Sequence, residues 1–182
     1  MDDEVDDVTA AALRARRGDA AAAVAFVRAT QADVWRACAG LGSTQDAEDL
    51  TQETYARAFA SLHRFAGRAS ARTWLLSIAR RVCADAVRDA VRLRAVRASA
   101  ATEQRLRGGS DPADSVVLHG LLSCLDGERR EAFVLTQLVG LSYAEAADVC
   151  NCPIGTIRSR VARARAELVT GYGSGRSRAG AG

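Results

Sequence analysis

The chain contains no lysine; all 25 of its basic residues are arginine. A phosphate-cradling loop of the G-x-x-x-x-G-K-[ST] type is therefore excluded, because its lysine is missing. Much of this bias follows from GC-rich coding, since the chain is also very rich in alanine. Histidine is nearly as scarce: His63 and His119 are the only two, and neither sits in a nucleophile or metal constellation, so no catalytic residue is assigned. No apolar run approaches the roughly 18–20 residues that span a bilayer, and the acidic N-terminus lacks the positive-then-apolar pattern of a signal peptide. The expectation is a cytoplasmic protein without membrane association, whose five cysteines stay reduced. Cys38, Cys83 and Cys124 stand alone in helical stretches and read as buried small apolar residues. Cys150 and Cys152 are too close, and lack a second Cys/His pair, for an ordinary zinc knuckle. No metal or cofactor is expected. Alternating strand patterns and internal repeats are both missing, which leaves an all-α fold.

What the chain does have is charge sorted along its length. The net charge is only +3, so the total does not argue for nucleic acid. Residues 2–7 hold five acids, and residues 46–53 hold four with no base. Residues 80–107 carry eight Arg against three acids, and 158–178 carry six against one.

Read in order, residues 8–17 are expected to be helical and to stop at Gly18. Asp19 caps a second helix to about Ala39, with Phe26, Val27, Val34 and Trp35 in the core, broken by Gly40 and Gly42. Ser43 and Asp46 open a third helix to Arg64, and Ser70 caps a long fourth one to about Ala98. Acids near a helix start are stabilised by the macrodipole, but that does not explain an acidic face reaching Glu53, two turns in. The fourth helix turns basic at Arg80, Arg81, Arg88, Arg92, Arg94 and Arg97. Arginines beside an aromatic loop suit single-stranded nucleic acid as well as a solvated face. Residues 99–112 lose periodicity and gather Gly108-Gly-Ser-Asp-Pro112, a linker that divides the chain. The expected layout is two small helical domains, 1–98 and 113–170, free to reorient about that linker, followed by a disordered tail over 171–182.

The second domain carries the sharper pattern. Leu118, Leu121, Leu122 and Leu125 form one helical stripe, and a helix from Gly127 to Leu138 ends at Gly140. Ser142 with Glu145 makes a capping box, and Asn151-Cys-Pro153 starts another helix soon after. A short helix, tight turn and longer helix form a helix-turn-helix. In the longer helix Ile154, Ile157, Val161, Ala164 and Leu168 share one apolar stripe at about 100° per residue. Gly155, Thr156, Ser159, Ala162, Arg163 and Ala166 lie opposite, with Arg158, Arg160 and Arg165 on the flanks. Small residues permit close approach to a major groove, and Arg reaches guanine edges or phosphates.

Four stretches in this order resemble the extracytoplasmic-function (ECF) class of sigma factors, the promoter-recognition subunits of bacterial RNA polymerase. Residues 46–59 are similar to the polymerase-binding segment of the sigma-2 domain, and 65–80 to its promoter-melting segment. Residues 138–147 and 152–165 are similar to the sigma-4 helix-turn-helix. The resemblance implies that Asp46, Asp49, Gln52 and Glu53 face basic residues on the clamp coiled coil of the polymerase largest subunit, while the flap of the second-largest subunit is a further contact. It implies that Phe65, Arg68, Ser70, Arg72, Trp74, Arg80, Arg81 and Arg88 recognise and melt the −10 element, a base flipped from the single strand entering the 65–70 loop. It implies that Arg158, Ser159, Ala162 and Arg163 read the −35 duplex, with Thr156 and Arg165 on phosphates. For many members it also implies an anti-sigma protein that covers both DNA-binding units.

The chain departs from the family pattern in three places. Leu75 follows Trp74 where primary sigma factors pair two tryptophans, Arg81 stands where many relatives have Asn, and Ala162 is smaller than in some relatives. A helix-turn-helix regulator that never joins the polymerase accounts for the C-terminal half alone; it needs neither the acidic face nor the Phe65–Trp74 segment.

Overall fold

The computed structural model describes residues 2–100 and 120–179, with side chains for 7–95 and 120–170. Among these residues there is no strand. The N-terminal unit contains α1 (Asp2–Ala15), α2 (Ala20–Leu41), α3 (Ala47–Ser61) with a 3₁₀ turn over Leu62–Arg64, and α4 (Ala71–Ala100). After a helical turn at 120–123, the C-terminal unit contains α5 (Gly127–Phe133), a π-helical stretch (Val134–Leu138), α6 (Tyr143–Cys150) and α7 (Ile154–Ala179). The linker expected at 99–112 lies outside the described residues from 101 onward; Ser99 and Ala100 belong to α4. The expected disordered tail differs too, because α7 runs on through Ala179, each added residue of an established helix gaining a backbone bond.

Local chemistry sets the element ends. Asp19 Oδ1 accepts from the Ala22 amide at 2.9 Å, and its carboxylate is held by Arg14 at 2.7 Å. Ser70 Oγ accepts from the Thr73 amide at 3.1 Å. Ser142 and Glu145 close the full reciprocal capping box, at 3.2 and 2.8 Å. Between α6 and α7, Asn151 takes the left-handed conformation (φ 51°) that a tight turn requires and Asn tolerates. Ser43 works four residues ahead of the first residue of α3: its hydroxyl accepts from the Asp46 amide at 3.1 Å, and Asp46 itself caps nothing.

α2 is the hub of the N-terminal unit, packing against α1, α3 and α4. Phe26, Val34, Leu75 and Leu76 are fully buried between these helices, each contributing about 1.5–3 kcal/mol of apolar burial. Two expected core members differ: Val27 is only half-buried, and Trp35 stays 45% exposed on the flank of α2. Cys38 and Cys83 are buried as expected, whereas Cys124 is exposed in the turn before α5.

The two units do not stand apart. Their buried side chains form one continuous core, from Val8 to Ala164. α6 packs on α4, and the π-helical stretch packs on α2. A helix-turn-helix of about fifty residues has too little interior to bury its own apolar faces, and the N-terminal unit supplies the remaining wall. Gly40 marks a close approach of the two units. It does not break α2 as its residue type suggests; α2 continues to Leu41, and Gly42 terminates it. A Cβ at Gly40 would lie 2.8 Å from both γ-methyls of Val134, so glycine is there because Val134 fills the space. Gly40→Ala is expected to destabilise the protein by about 1–3 kcal/mol through overpacking. Adding Val134→Ala should recover much of that loss, and denaturant midpoints of the two singles and the double would read the coupling.

Candidate nucleic-acid interface and acidic docking face

On α7, Ile157, Val161 and Ala164 are buried against the rest of the C-terminal unit, and Leu168 is partly so. Ile154, placed by periodicity in the same stripe, is 42% exposed because it opens the helix before the packed turn begins. Gly155, Arg158, Ser159, Ala162, Arg163 and Ala166 are all exposed, with Thr156 half-buried at the edge. Arg158 and Arg163 have no side-chain partner among the described residues, so their guanidiniums are available. The other two arginines of the helix with described side chains, Arg160 and Arg165, are committed. Arg160 pairs with Glu128 and donates to Cys152 Sγ at 3.7 Å, bracing the turn. Arg165 donates to Gln137 Oε1 at 2.6 Å. Ser159 turns its hydroxyl to the Thr156 carbonyl at 2.9 Å.

The segment 65–88 is divided. The loop turns at Gly67, whose φ of +70° glycine alone adopts at no cost. Phe65 is expected to meet a flipped base, yet its ring is buried against Trp74, centroids 4.9 Å apart, and its carbonyl accepts from Arg16 at 2.6 Å. An aromatic body of this size gains more from the core than from water. Among the described residues Arg68 is exposed and has no partner, and Ser70 is occupied with capping. Among the described residues Arg81 reaches only Ser77 of its own helix, at 3.3 Å, and Arg88 pairs with Asp85. Arg57 and then Arg88 hold the Asp85 carboxyl below the usual carboxylate range.

Arg72 and Arg80 point elsewhere. Arg72 is paired with Asp33 of α2 at 2.7 Å and donates to the Val139 carbonyl of the C-terminal unit at 2.9 Å. Arg80 meets Glu131 of α5 at 2.8 Å, and both side chains are largely shielded, at 31% and 19% exposure. The partners Asp33, Glu131, Gln137 and Val139 are the residues that sequence reasoning missed. Each contact joins distant parts of the chain, and no periodicity announces it.

The acidic face lies on α3. Glu48, Asp49, Gln52 and Glu53 are exposed, and Asp49 and Gln52 have no side-chain partner among the described residues. Glu53 pairs with Arg57 at 2.7 Å, and Asp46 takes the Ser43 hydroxyl at 2.6 Å, just before the helix. Unpaired like charges on one helix face repel one another, so the face is at a disadvantage until something basic covers it. Among the described residues no group of three His, Cys, Asp or Glu side chains is placed to hold a metal ion, and no helix is long and apolar enough to cross a membrane.

Comparison with known proteins matches the chain to two family models. The Sigma-70 region 2 model covers residues 26–93, and the Sigma-70 region 4 model covers 115–168. The chain is 51% identical to the ECF RNA polymerase sigma factor SigC of Mycobacterium tuberculosis, over 92% of this chain and 91% of the relative. It is 34% identical to the ECF sigma factor EcfG of Rhodopseudomonas palustris, over 70% and 71%. Among solved structures, CnrH in complex with the cytosolic domain of CnrY superposes at a TM-score of 0.75, with 26% identity over 92% of this chain and 98% of that one. The sigma factor RpoE of Bartonella quintana, bound to the anti-sigma factor NepR, gives 0.59 and 30% identity over 74% and 86%. The chain thus belongs to the extracytoplasmic-function sigma factors of the sigma-70 family, DNA-binding transcription initiation factors that direct RNA polymerase to alternative promoters.

Proposed function

We propose that the two faces divide the work of initiation. Asp49, Gln52 and Glu53, flanked by Asp46, dock on the basic clamp coiled coil of the polymerase largest subunit, and the C-terminal unit meets the flap of the second-largest. Arg158, Ser159, Ala162 and Arg163 read the −35 duplex, with Thr156 and Arg165 on its phosphates. Arg68, Ser70, Arg72, Trp74, Arg80, Arg81 and Arg88 hold the opened −10 strand; Phe65 buttresses Trp74 from below and does not itself take the base. The protein acts in the cytoplasm, takes no cofactor and performs no catalytic step of its own. An anti-sigma protein, of the kind present in the RpoE complex, is a further partner in this reading.

The observation that carries the reading is the pairing, in one chain, of an uncovered acidic helix face with a helix-turn-helix whose two free arginines flank small residues. A regulator that binds DNA alone has no use for the first. Run-off transcription with core polymerase on randomised promoters tests it. Specific transcripts should appear only when this protein is added, and duplex binding without redirected transcription would sink the proposal. In the same promoter pool, Arg158→Ala should lose about 1–3 kcal/mol of discrimination at one −35 base pair, the worth of one bidentate Arg–guanine contact. Affinity for the other positions should be little changed, as a binding panel of single-base variants would show.

The packing of the two units adds a second step. Arg72 and Arg80 cannot hold −10 phosphates while they hold Val139 and Glu131, so the arrangement described above is a closed form from which the C-terminal unit must move away. The −35 face is already exposed in that form.

A further inference from the structure

α1 (Asp2–Ala15) precedes residues 26–93, which match the region 2 model, yet it meets the 65–71 segment at three points. Just past the end of α1, Arg16 donates to the Phe65 carbonyl at 2.6 Å. The δ-methyls of Leu13 lie against the turn, 3.4 and 3.6 Å from where a Cβ on Gly67 would stand. Thr9 Oγ1 accepts from the Ala71 amide at 3.0 Å, where the loop ends and α4 begins. Residues 9, 13 and 16 are spaced four and three apart, so they share one face of the helix. The helix is itself anchored: Val8 and Ala12 are buried, and α1 packs on α2 and α4.

The start, turn and end of the loop therefore rest on one fixed element. Holding a short loop in a single conformation costs backbone entropy at every residue. The loop itself does little to offset that cost. Ala66, Gly67 and Ala69 carry no polar side-chain atom, and the Ser70 hydroxyl accepts from the Thr73 amide inside α4. The Ala71 amide is one of the helix-start donors that no turn of its own helix can satisfy, and α1 satisfies it from outside. With so few polar side chains in the loop, a base that enters it is read largely by backbone groups. Groups that read a ligand must be held within about 0.5 Å of the productive geometry. Here α1 does the holding.

We infer that the Thr9–Leu13–Arg16 face of α1 is the template of the −10 loop, with Arg16 and Thr9 as positioning residues that set which base the loop accepts. They act through the loop backbone and touch no nucleotide. The inference rests on the assignment of residues 65–70 to the opened −10 strand and adds what fixes the selectivity of that loop.

The test uses holoenzyme assembled with core polymerase, titrated with single-stranded −10 oligonucleotides in which each base is varied in turn. Arg16→Ala should weaken the preferred oligonucleotide about tenfold, the worth of a hydrogen bond from a charged donor. The disfavoured oligonucleotides should be nearly unaffected, so discrimination collapses at one base. The slope of affinity against salt should stay at the wild-type value, because no phosphate contact is lost. Thr9→Val keeps the shape and removes the acceptor, and should act in the same direction. Thr9→Ser should restore the wild-type pattern. Core binding and −35 duplex affinity should not move in any of these variants. Arg68→Ala is the control for the loop itself. If it weakens −10 binding while Arg16→Ala and Thr9→Val do not, the template inference is wrong and the loop assignment stands. If none of the three has an effect, the loop assignment itself fails. A salt slope reduced by about one in Arg16→Ala, with discrimination intact, would make Arg16 a phosphate contact. A matching loss of −35 affinity would make α1 a scaffold for the whole chain. Either result overturns the inference.

Discussion

Asp49→Arg is expected to reduce core polymerase binding by about 100-fold or more, and to abolish specific run-off transcription at sub-micromolar protein. The substitution replaces an unpaired, exposed carboxylate with a cation on the face proposed to meet a basic coiled coil. Like charges brought together across an interface cost several kcal/mol, against a modest gain when opposite charges meet there. The loss should fall chiefly on the association rate, and raising salt should narrow the gap between variant and wild type, because exposed charges are screened within about 8–10 Å at physiological ionic strength. Folding should lose only about 1 kcal/mol: Asp49 has no hydrogen-bond or ion-pair partner among the described residues, but it sits in the first turn of α3, where the macrodipole favours an acid over a cation. The binding of −35 duplex by the isolated protein should also persist. Glu53→Arg should have a smaller effect, because Glu53 already shares its charge with Arg57 at 2.7 Å. A variant with normal polymerase affinity would remove the acidic face from the proposal.

The helices, caps and faces that depend on local chemistry could be read from the sequence. The Ser142–Glu145 box, the Asp19 and Ser70 caps and the buried stripe of Ile157, Val161 and Ala164 all rest on residues three to four apart, where a residue's neighbours on a helix are known in advance. What failed is long-range. Gly40 has the residue type of a helix breaker, but its role is set by Val134, ninety-four positions away. Trp35 has the residue type of a core member, but α3 leaves one side of it uncovered. A hydrophobicity pattern states which side of a helix seeks cover, not whether the chain supplies it.

The same distinction runs through the candidate site. Arg158 and Arg163 were legible as free groups because only the face of their own helix had to be judged. Arg72, Arg80 and Arg165 were not, because their partners Asp33, Val139, Glu131 and Gln137 come from other helices. A run of arginines announces positive charge; it does not announce which members are already neutralised.

Glu131→Lys is the change expected to open the closed form. Removing the carboxylate leaves Arg80 unpaired in a site where the pair is mostly shielded, and the new cation repels it at close range. A fully buried pair broken in this way costs about 3–5 kcal/mol; with roughly a third of Arg80 exposed, a discounted figure of about 2–3 kcal/mol is appropriate. That shifts the balance between closed and open forms by about 30- to 150-fold. Three readouts should move together. Scattering should show a larger radius. A single-stranded −10 oligonucleotide should bind more tightly, because Arg80 is released. Cys150 should react faster with a thiol reagent: burial pushes its thiol up to about 12 in the closed form, and α6 loses its cover from α4 when the units part. Affinity for −35 duplex should not change, since the recognition face of α7 is exposed before opening. Glu131→Gln, which removes charge without adding repulsion, should give the same pattern at smaller size. Arg80→Ala would separate nothing, because it deletes the latch and a proposed −10 contact together. If the Lys variant keeps the wild-type radius and oligonucleotide affinity, the Arg80–Glu131 pair is structural, and control of this protein must come from a partner.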